Sequence, residues 1–169
     1  MRELAELLNQ LRDAGVIVNY ALFGALAQMR YTEPVATVDA DVLVGVPEPE
    51  RLDALGEIYK FCAARGYRAS GEGIQVGAWP VQFIPVFSAL TREAMEKAAT
   101  AEFEGLAMRV VRPEYLATIA LSTGRAKDDQ RILALLESGK VKRDAIAALA
   151  ARHNLSAAWK RFEKRFLRD

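Results

Sequence analysis

Between Val38 and Val46 the chain reads Val-Asp-Ala-Asp-Val-Leu-Val-Gly-Val, so Val38, Ala40, Val42, Val44 and Val46 alternate with Asp39, Asp41, Leu43 and Gly45. A period of two rich in β-branched residues predicts a strand, because successive side chains on a pleated backbone point to opposite faces. The same alternation puts Asp39 and Asp41 on one face at the strand's beginning. Two carboxylates so placed repel each other unless solvent or a cation lies between them. Hard oxygen donors on one face are also what Mg2+ takes when it binds substrate phosphates. On spacing alone, a pair of solvated aspartates at an exposed strand end is the simpler reading.

The elements around this strand follow from periodicity and punctuation. Leu4, Leu7, Leu8 and Leu11 sit at helical spacing ahead of Gly15 and predict an amphipathic helix over 2–14. Val16–Phe23 reads as a buried strand and Ala25–Met29 as a short helix, with Gly24 between them. The segment 47–65 reads as a helix whose apolar stripe is Leu52, Leu55, Tyr59 and Cys62, which makes Cys62 a core residue. Residues 67–86, punctuated by Gly71, Gly73, Gly77 and Pro80, predict two or three short strands. A helix over 88–100 and a strand over 103–111 follow. Pro113 opens a helix closed by Gly124, and Asp128 reads as the N-cap of the next. Helices over 142–152 and 156–167 finish the chain. The expected fold class is α/β (α+β), a small mixed β-sheet flanked by helices with a helical C-terminal part. Its core spans 1–138, and a basic extension, 139–169, packs on the same domain.

Composition narrows the functional classes. The 169 residues are 51% hydrophobic and 27% charged, the balance of one ordinary globular domain. The longest apolar stretch, Val16 to Ala27, is interrupted by Asn19 and falls short of the roughly 20 residues a bilayer-spanning helix needs. The first residues, Met-Arg-Glu-Leu-Ala-Glu, lack the basic and apolar regions of a signal peptide, so a cytoplasmic location is expected. One cysteine and one histidine exclude an internal disulfide and Cys/His zinc sites. His153 reads as a surface or helix-end residue. Residues 139–169 carry nine Lys/Arg against three acids, a formal +6, while 1–138 carry −5. Such asymmetry is either a solvated helix face or a surface that meets phosphates.

Phe23-Gly-Ala-Leu-Ala27, followed after a loop by Thr37-Val-Asp-Ala-Asp-Val42, resembles the nucleotidyltransferase superfamily of polymerase beta. Its small bacterial members related to abortive-infection and toxin-antitoxin proteins are the nearer likeness. A second segment agrees: Pro113-Glu-Tyr-Leu116, then Thr123-Gly-Arg-Ala-Lys-Asp128 and a hydrophobic helix. The likeness covers about residues 16–137. It implies that Gly24 and Ala25 form a turn whose backbone N–H groups meet nucleotide phosphates. It implies further that Asp39 and Asp41 hold Mg2+ and do the catalytic work, and that Arg125 and Lys127 contact a triphosphate. From turn composition alone, a solvated helix-helix turn explains Arg125 and Lys127 equally well.

The departures are specific. Ala25 stands where the family has Ser or Gly, so a hydroxyl contact to phosphate is lost. Gln82, in Val81-Gln-Phe-Ile-Pro85, stands where active members supply a third carboxylate, and an amide neither ionises nor takes a proton near neutral pH. A lysine common in the family's helix ahead of the glycine-arginine turn is missing from Ala117-Thr-Ile-Ala120. Glu72 is the substitute carboxylate that only the fold can place. Three readings stay open. The first is transfer of NMP from an NTP to a hydroxyl acceptor (RNA, protein or small molecule). The second is a catalytically silent module that binds nucleotide or a protein partner. The third is a nucleic-acid binder using residues 144–166. On the last, Trp159, Phe162 and Phe166 at helical spacing are expected to be core anchors.

Overall fold

The computed structural model describes residues 1–167. Eight helices and seven strands follow one another along them: α1 (Arg2–Asp13), β1 (Asn19–Phe23), α2 (Gly24–Gln28), β2 (Ala40–Gly45), α3 (Gly56–Ala63), β3 (Arg68–Ser70), β4 (Gly73–Val76), β5 (Trp79–Pro85), α4 (Ala89–Glu96), β6 (Ala99–Phe103), β7 (Leu106–Val110), α5 (Pro113–Thr123), α6 (Ala126–Glu137), α7 (Arg143–Arg152) and α8 (Ser156–Phe166). The strands form one mixed sheet in the order β3-β4-β5-β2-β1-β7-β6. β2 lies at its centre, antiparallel to β1 and parallel to β5. The mixed α/β class expected from the sequence is the one observed.

The central strands are covered on both faces. Tyr20, Ala21 and Leu22 in β1, and Val42, Leu43 and Val44 in β2, are all buried. Consecutive buried residues in a strand require packing on either side of the sheet. The alternation of the Val38–Val46 segment therefore survives only at its start, where Asp41 is half-buried. α1 packs on β1 and β7, α4 on β1 and β2, and α5 joins α4, α6, α7 and α8 into a helical layer. The four leucines of α1 are almost completely buried. Each is worth about 1.5–3 kcal/mol of transfer free energy, so the amphipathic stripe accounts for the docking of this helix.

Several boundaries depart from the sequence expectation for identifiable reasons. The strand expected over 38–46 is β2, Ala40–Gly45, and Asp39 precedes it. The helix expected over 47–65 is only α3, Gly56–Ala63, and Leu52 is fully exposed instead of lining the apolar stripe. Pro47 and Pro49 lack the N–H a helix interior needs and bias their neighbours to extended conformations. Cys62 is buried, as the stripe required. The helix expected over 88–100 stops at Glu96, and 99–110 is a hairpin, β6 and β7. Its two-residue turn, Glu104-Gly105, has positive φ at both positions, 51° and 81°, the geometry that matches strand twist in a tight hairpin. Asp128 is not the N-cap of α6. Arg125 holds that position, and Asp128, three residues on, accepts the Arg125 backbone N–H at 3.2 Å.

The C-terminal helices follow the expectation closely. Trp159 and Phe162 are buried with their rings stacked 5.6 Å apart, and Phe166 tilts against Phe162. His153 ends α7 as its C-cap, and its Nε2 lies 2.7 Å from Glu93 Oε2. Arg152 pairs with the same carboxylate, and the Tyr115 hydroxyl donates to it at 2.8 Å. This cluster ties α4, α5 and α7 together.

Candidate functional site

The β1–α2 junction and the start of β2 meet at one end of the sheet. In the antiparallel register Phe23 faces Asp41, which brings the following residue, Gly24, against that carboxylate. Gly24 has φ +64°, and a Cβ there would overlap Asp41 Oδ2. Both facts require glycine: the left-handed conformation is strained for a side chain, and there is no room for one. The sequence pairing of Gly24 with Asp41 is thus a direct contact.

β5 supplies the other neighbour. Gln82 is the register partner of Asp41, and its Nε2 donates to Asp39 Oδ2 at 3.2 Å. The amide therefore faces the aspartate pair, as its alignment with the family's third carboxylate implied. Glu72 does not replace it: it sits in the two-residue turn between β3 and β4, exposed, with its carbonyl accepting from Tyr59. Among the described residues, no three His, Cys, Asp or Glu side chains gather closely enough to hold a metal ion by themselves.

Asp39 and Asp41 open into a groove of about 820 Å³ between the 35–39 loop, α2 and α6. Ala25, Gln28, Lys127, Gln130 and Arg131 line it with them. Burial pushes the Asp41 pKa up, and the adjacent Asp39 adds to the rise; Arg131, Lys127 and Arg125 pull it back down. Two carboxylates and two cations, Lys127 and Arg131, line one groove, with Arg125 close enough to act on Asp41, an arrangement able to hold a ligand that carries charge of both signs.

Of the cations expected to matter, Lys127 lines the groove. Arg125 stands beside it, its guanidinium held by the buried Asp128 at 2.7 Å through Nε and 3.3 Å through Nη2, and still half exposed. Arg131 was not singled out by the sequence reading. It lies one turn after Lys127 on α6, its Nε donates to Gln28 Oε1 at 2.9 Å, and Asp128 lies 3.8 Å from its Nη1. These partners fix the fork of a side chain that is only 17% exposed. The signal available in the sequence was the i, i+4 spacing of Lys127 and Arg131, which puts both on one face of a helix.

No protein-family model matches the sequence, and no curated protein does. Solved structures do. An antigenic nucleotidyltransferase-like protein from Paracoccidioides brasiliensis is similar over 94% of this chain and 93% of its own, with a TM-score of 0.53 and 15% identity. The antibiotic-resistance factor ANT(2'')-Ia is similar over 96% of both chains, with a TM-score of 0.51 and 15% identity. The fold is nucleotidyltransferase-like. Among the described residues, no helix is long and apolar enough to cross a membrane.

Proposed function

We propose that this protein is a metal-dependent nucleotidyltransferase that moves NMP from an NTP to a hydroxyl acceptor, with a weakened catalytic centre. The observation that carries the reading is the convergence of the Gly24 turn, Asp39 and Asp41 at the mouth of a groove whose opposite wall holds Lys127 and Arg131. Mg2+ fits this donor set: two hard carboxylates, one of them raised in pKa by burial and then by the other's charge, leave room for phosphate oxygens to complete the ion's coordination. Bound there by Asp39 and Asp41, the ion would supply charge stabilisation for displacement at phosphorus.

The chain's own residues divide the remaining tasks. Gly24 and Ala25 carry only a hydrogen and a methyl group of their own where phosphates would approach the backbone. Lys127 and Arg131 would neutralise phosphate oxygens, Arg131 as a fixed fork and Lys127 as a mobile point charge. Gln82 holds Asp39 by hydrogen bonding. It cannot accept the proton of the attacking hydroxyl, so turnover should be slow. The same hydrogen bond favours a second reading, a nucleotide-binding module without transfer activity. The membership in the toxin-antitoxin-related branch and the cytoplasmic location belong to this proposal as well.

Isothermal titration with each NTP in the presence of Mg2+ tests the proposal. Saturable binding of an NTP that disappears on chelation supports it. Absence of binding to every NTP sinks the transferase reading and the nucleotide-module reading alike.

A further inference from the structure

Only His153, Asn154 and Leu155 separate α7 from α8. Asn154 takes the left-handed conformation, φ 59°, and the Leu155 N–H donates back to the Ala150 carbonyl at 2.7 Å, which stops α7 and turns the chain sharply. Ile146, Leu149 and Ala150 of α7 and Trp159 and Phe162 of α8 are buried, and both helices pack on α5. Opposite that buried side of α8, Ala157, Lys160, Arg161 and Lys164 are exposed and fall within one arc of about 100° on the helical wheel. Glu163, the acid of α8, lies outside the arc and is half-buried. At the start of α7, Lys142 and Arg143 outnumber Asp144, and all three are exposed. The formal +6 of residues 139–169 against −5 for the remainder draws a polyanion to this end of the chain.

We propose that α7, the turn and α8 form a helix-turn-helix that lays α8 in the major groove of duplex DNA. This second surface uses none of the residues of the Asp39–Asp41 groove and does not rest on the transferase reading. A helix-turn-helix needs two packed helices joined by a turn of about three or four residues, with the outer face of the second helix free to meet base edges. The 11 residues of α8 run about 16 Å, and a groove about 12 Å wide admits such a helix. Ala157 adds little bulk in the first turns of that face, where recognition helices approach the bases, and its methyl group suits contact with a thymine methyl. Lys160, Arg161 and Lys164 then meet phosphates or guanine edges, and Lys142 and Arg143 stand where the first helix crosses the backbone. Other polyanions fit less well. A single strand needs a free aromatic face to stack on, whereas Trp159 stacks on Phe162, Phe166 tilts against Phe162, and the Arg165 guanidinium covers Phe166 at 4.7 Å from its centroid. Duplex RNA has a deep, narrow major groove that side chains do not read. A lipid surface calls for exposed large apolar side chains, and those of the described residues, Val18, Val38, Leu52 and Phe87, all lie outside α7 and α8.

The test is fluorescence anisotropy of a labelled DNA duplex of about 20 base pairs, roughly two helical turns, titrated at several salt concentrations with the parent and with variants shown by circular dichroism to be folded. The parent should bind with an affinity that falls as salt rises. Lys160→Ala/Arg161→Ala/Lys164→Ala should lose about 2.7 from the slope of log affinity against log salt, three contacts at roughly 0.9 each. Arg51→Ala/Lys60→Ala/Arg68→Ala removes the same charge from exposed positions on α3, on β3 and in the loop before α3, and should keep the slope. Ala157→Trp leaves the charge unchanged and should weaken binding, because the ring blocks entry to the groove. Failure of the parent to bind the duplex, an unchanged slope in the α8 variant, an equal loss in the control, or full affinity in Ala157→Trp would each overturn the proposal. So would equal or tighter binding of the matched single strand or RNA duplex, or displacement of the DNA by phosphatidylserine vesicles.

Discussion

Gln82 donates a hydrogen bond from its amide nitrogen to Asp39 Oδ2 at 3.2 Å, across the parallel pairing of β5 with β2. An amide at this position holds a carboxylate still without adding negative charge. It also leaves the aspartate pair without a third group able to take a proton.

Gln82→Asp is therefore expected to raise the rate of nucleotide transfer. General-base assistance is worth about 10² to 10⁴ in rate, and the variant should recover part of that range. Incorporation of labelled nucleotide into RNA and protein acceptors, compared between the parent and the variant, measures it. Brisk transfer by the parent, unchanged in the variant, would contradict the assignment.

Gly24→Ala should damage the site and the fold together. The left-handed backbone costs a non-glycine residue roughly 1–2 kcal/mol, and the new Cβ would collide with Asp41 Oδ2. Thermal unfolding should shift down by several degrees, since about 1 kcal/mol corresponds to roughly 2–4 °C at this chain length. An unshifted melting curve would show that the turn can relax away from Asp41.

The raised pKa of Asp41 predicts a pH dependence with a definite sign. Burial and Asp39 favour the protonated carboxyl in the folded state. Its contribution to stability is present below the unfolded-state pKa and is lost as pH rises through the folded-state value. Asp41→Asn removes that loss, so the metal-free variant should melt above the parent near neutral pH, with the difference closing in acid. Equal melting temperatures across the range would refute the electrostatic account of the groove.

Cys62 should be inert in the folded protein. It is buried on α3, and burial pushes its thiol up to about 11, so little thiolate forms near pH 8. A thiol reagent should modify it only at the rate of unfolding. Rapid labelling under native conditions would mean that α3 opens locally.

What the sequence made legible was local chemistry. The α1 stripe, the central strand with Asp41 in its first turn of pleat and Asp39 just ahead of it, the Pro113–Gly124 helix and the Trp159–Phe162 anchor each depend on spacing or a terminal signal, and each is present. Gly24 and Asp41 were linked through a resemblance, and the β1–β2 register turns that link into contact. Two kinds of feature stayed hidden. The β6–β7 hairpin lay beneath alanines that suit a helix as well, so tertiary pairing decided it. The role of Arg131 depends on Gln28, 103 residues away in sequence, approaching its guanidinium, and no local pattern encodes such a distance. Arg125 shows the converse: the sequence marks its charge, and only the structure shows that Asp128 holds it beside the groove.

On the proposed function, Asp39 and Asp41 jointly hold a metal-nucleotide complex at the Gly24 turn. Isothermal titration of Mg-NTP into the parent and into the Asp39→Ala/Asp41→Ala double variant tests it most directly, with circular dichroism to establish that both are folded. The account predicts saturable, chelator-sensitive binding by the parent and none by the folded variant. Equal binding by the two would contradict it.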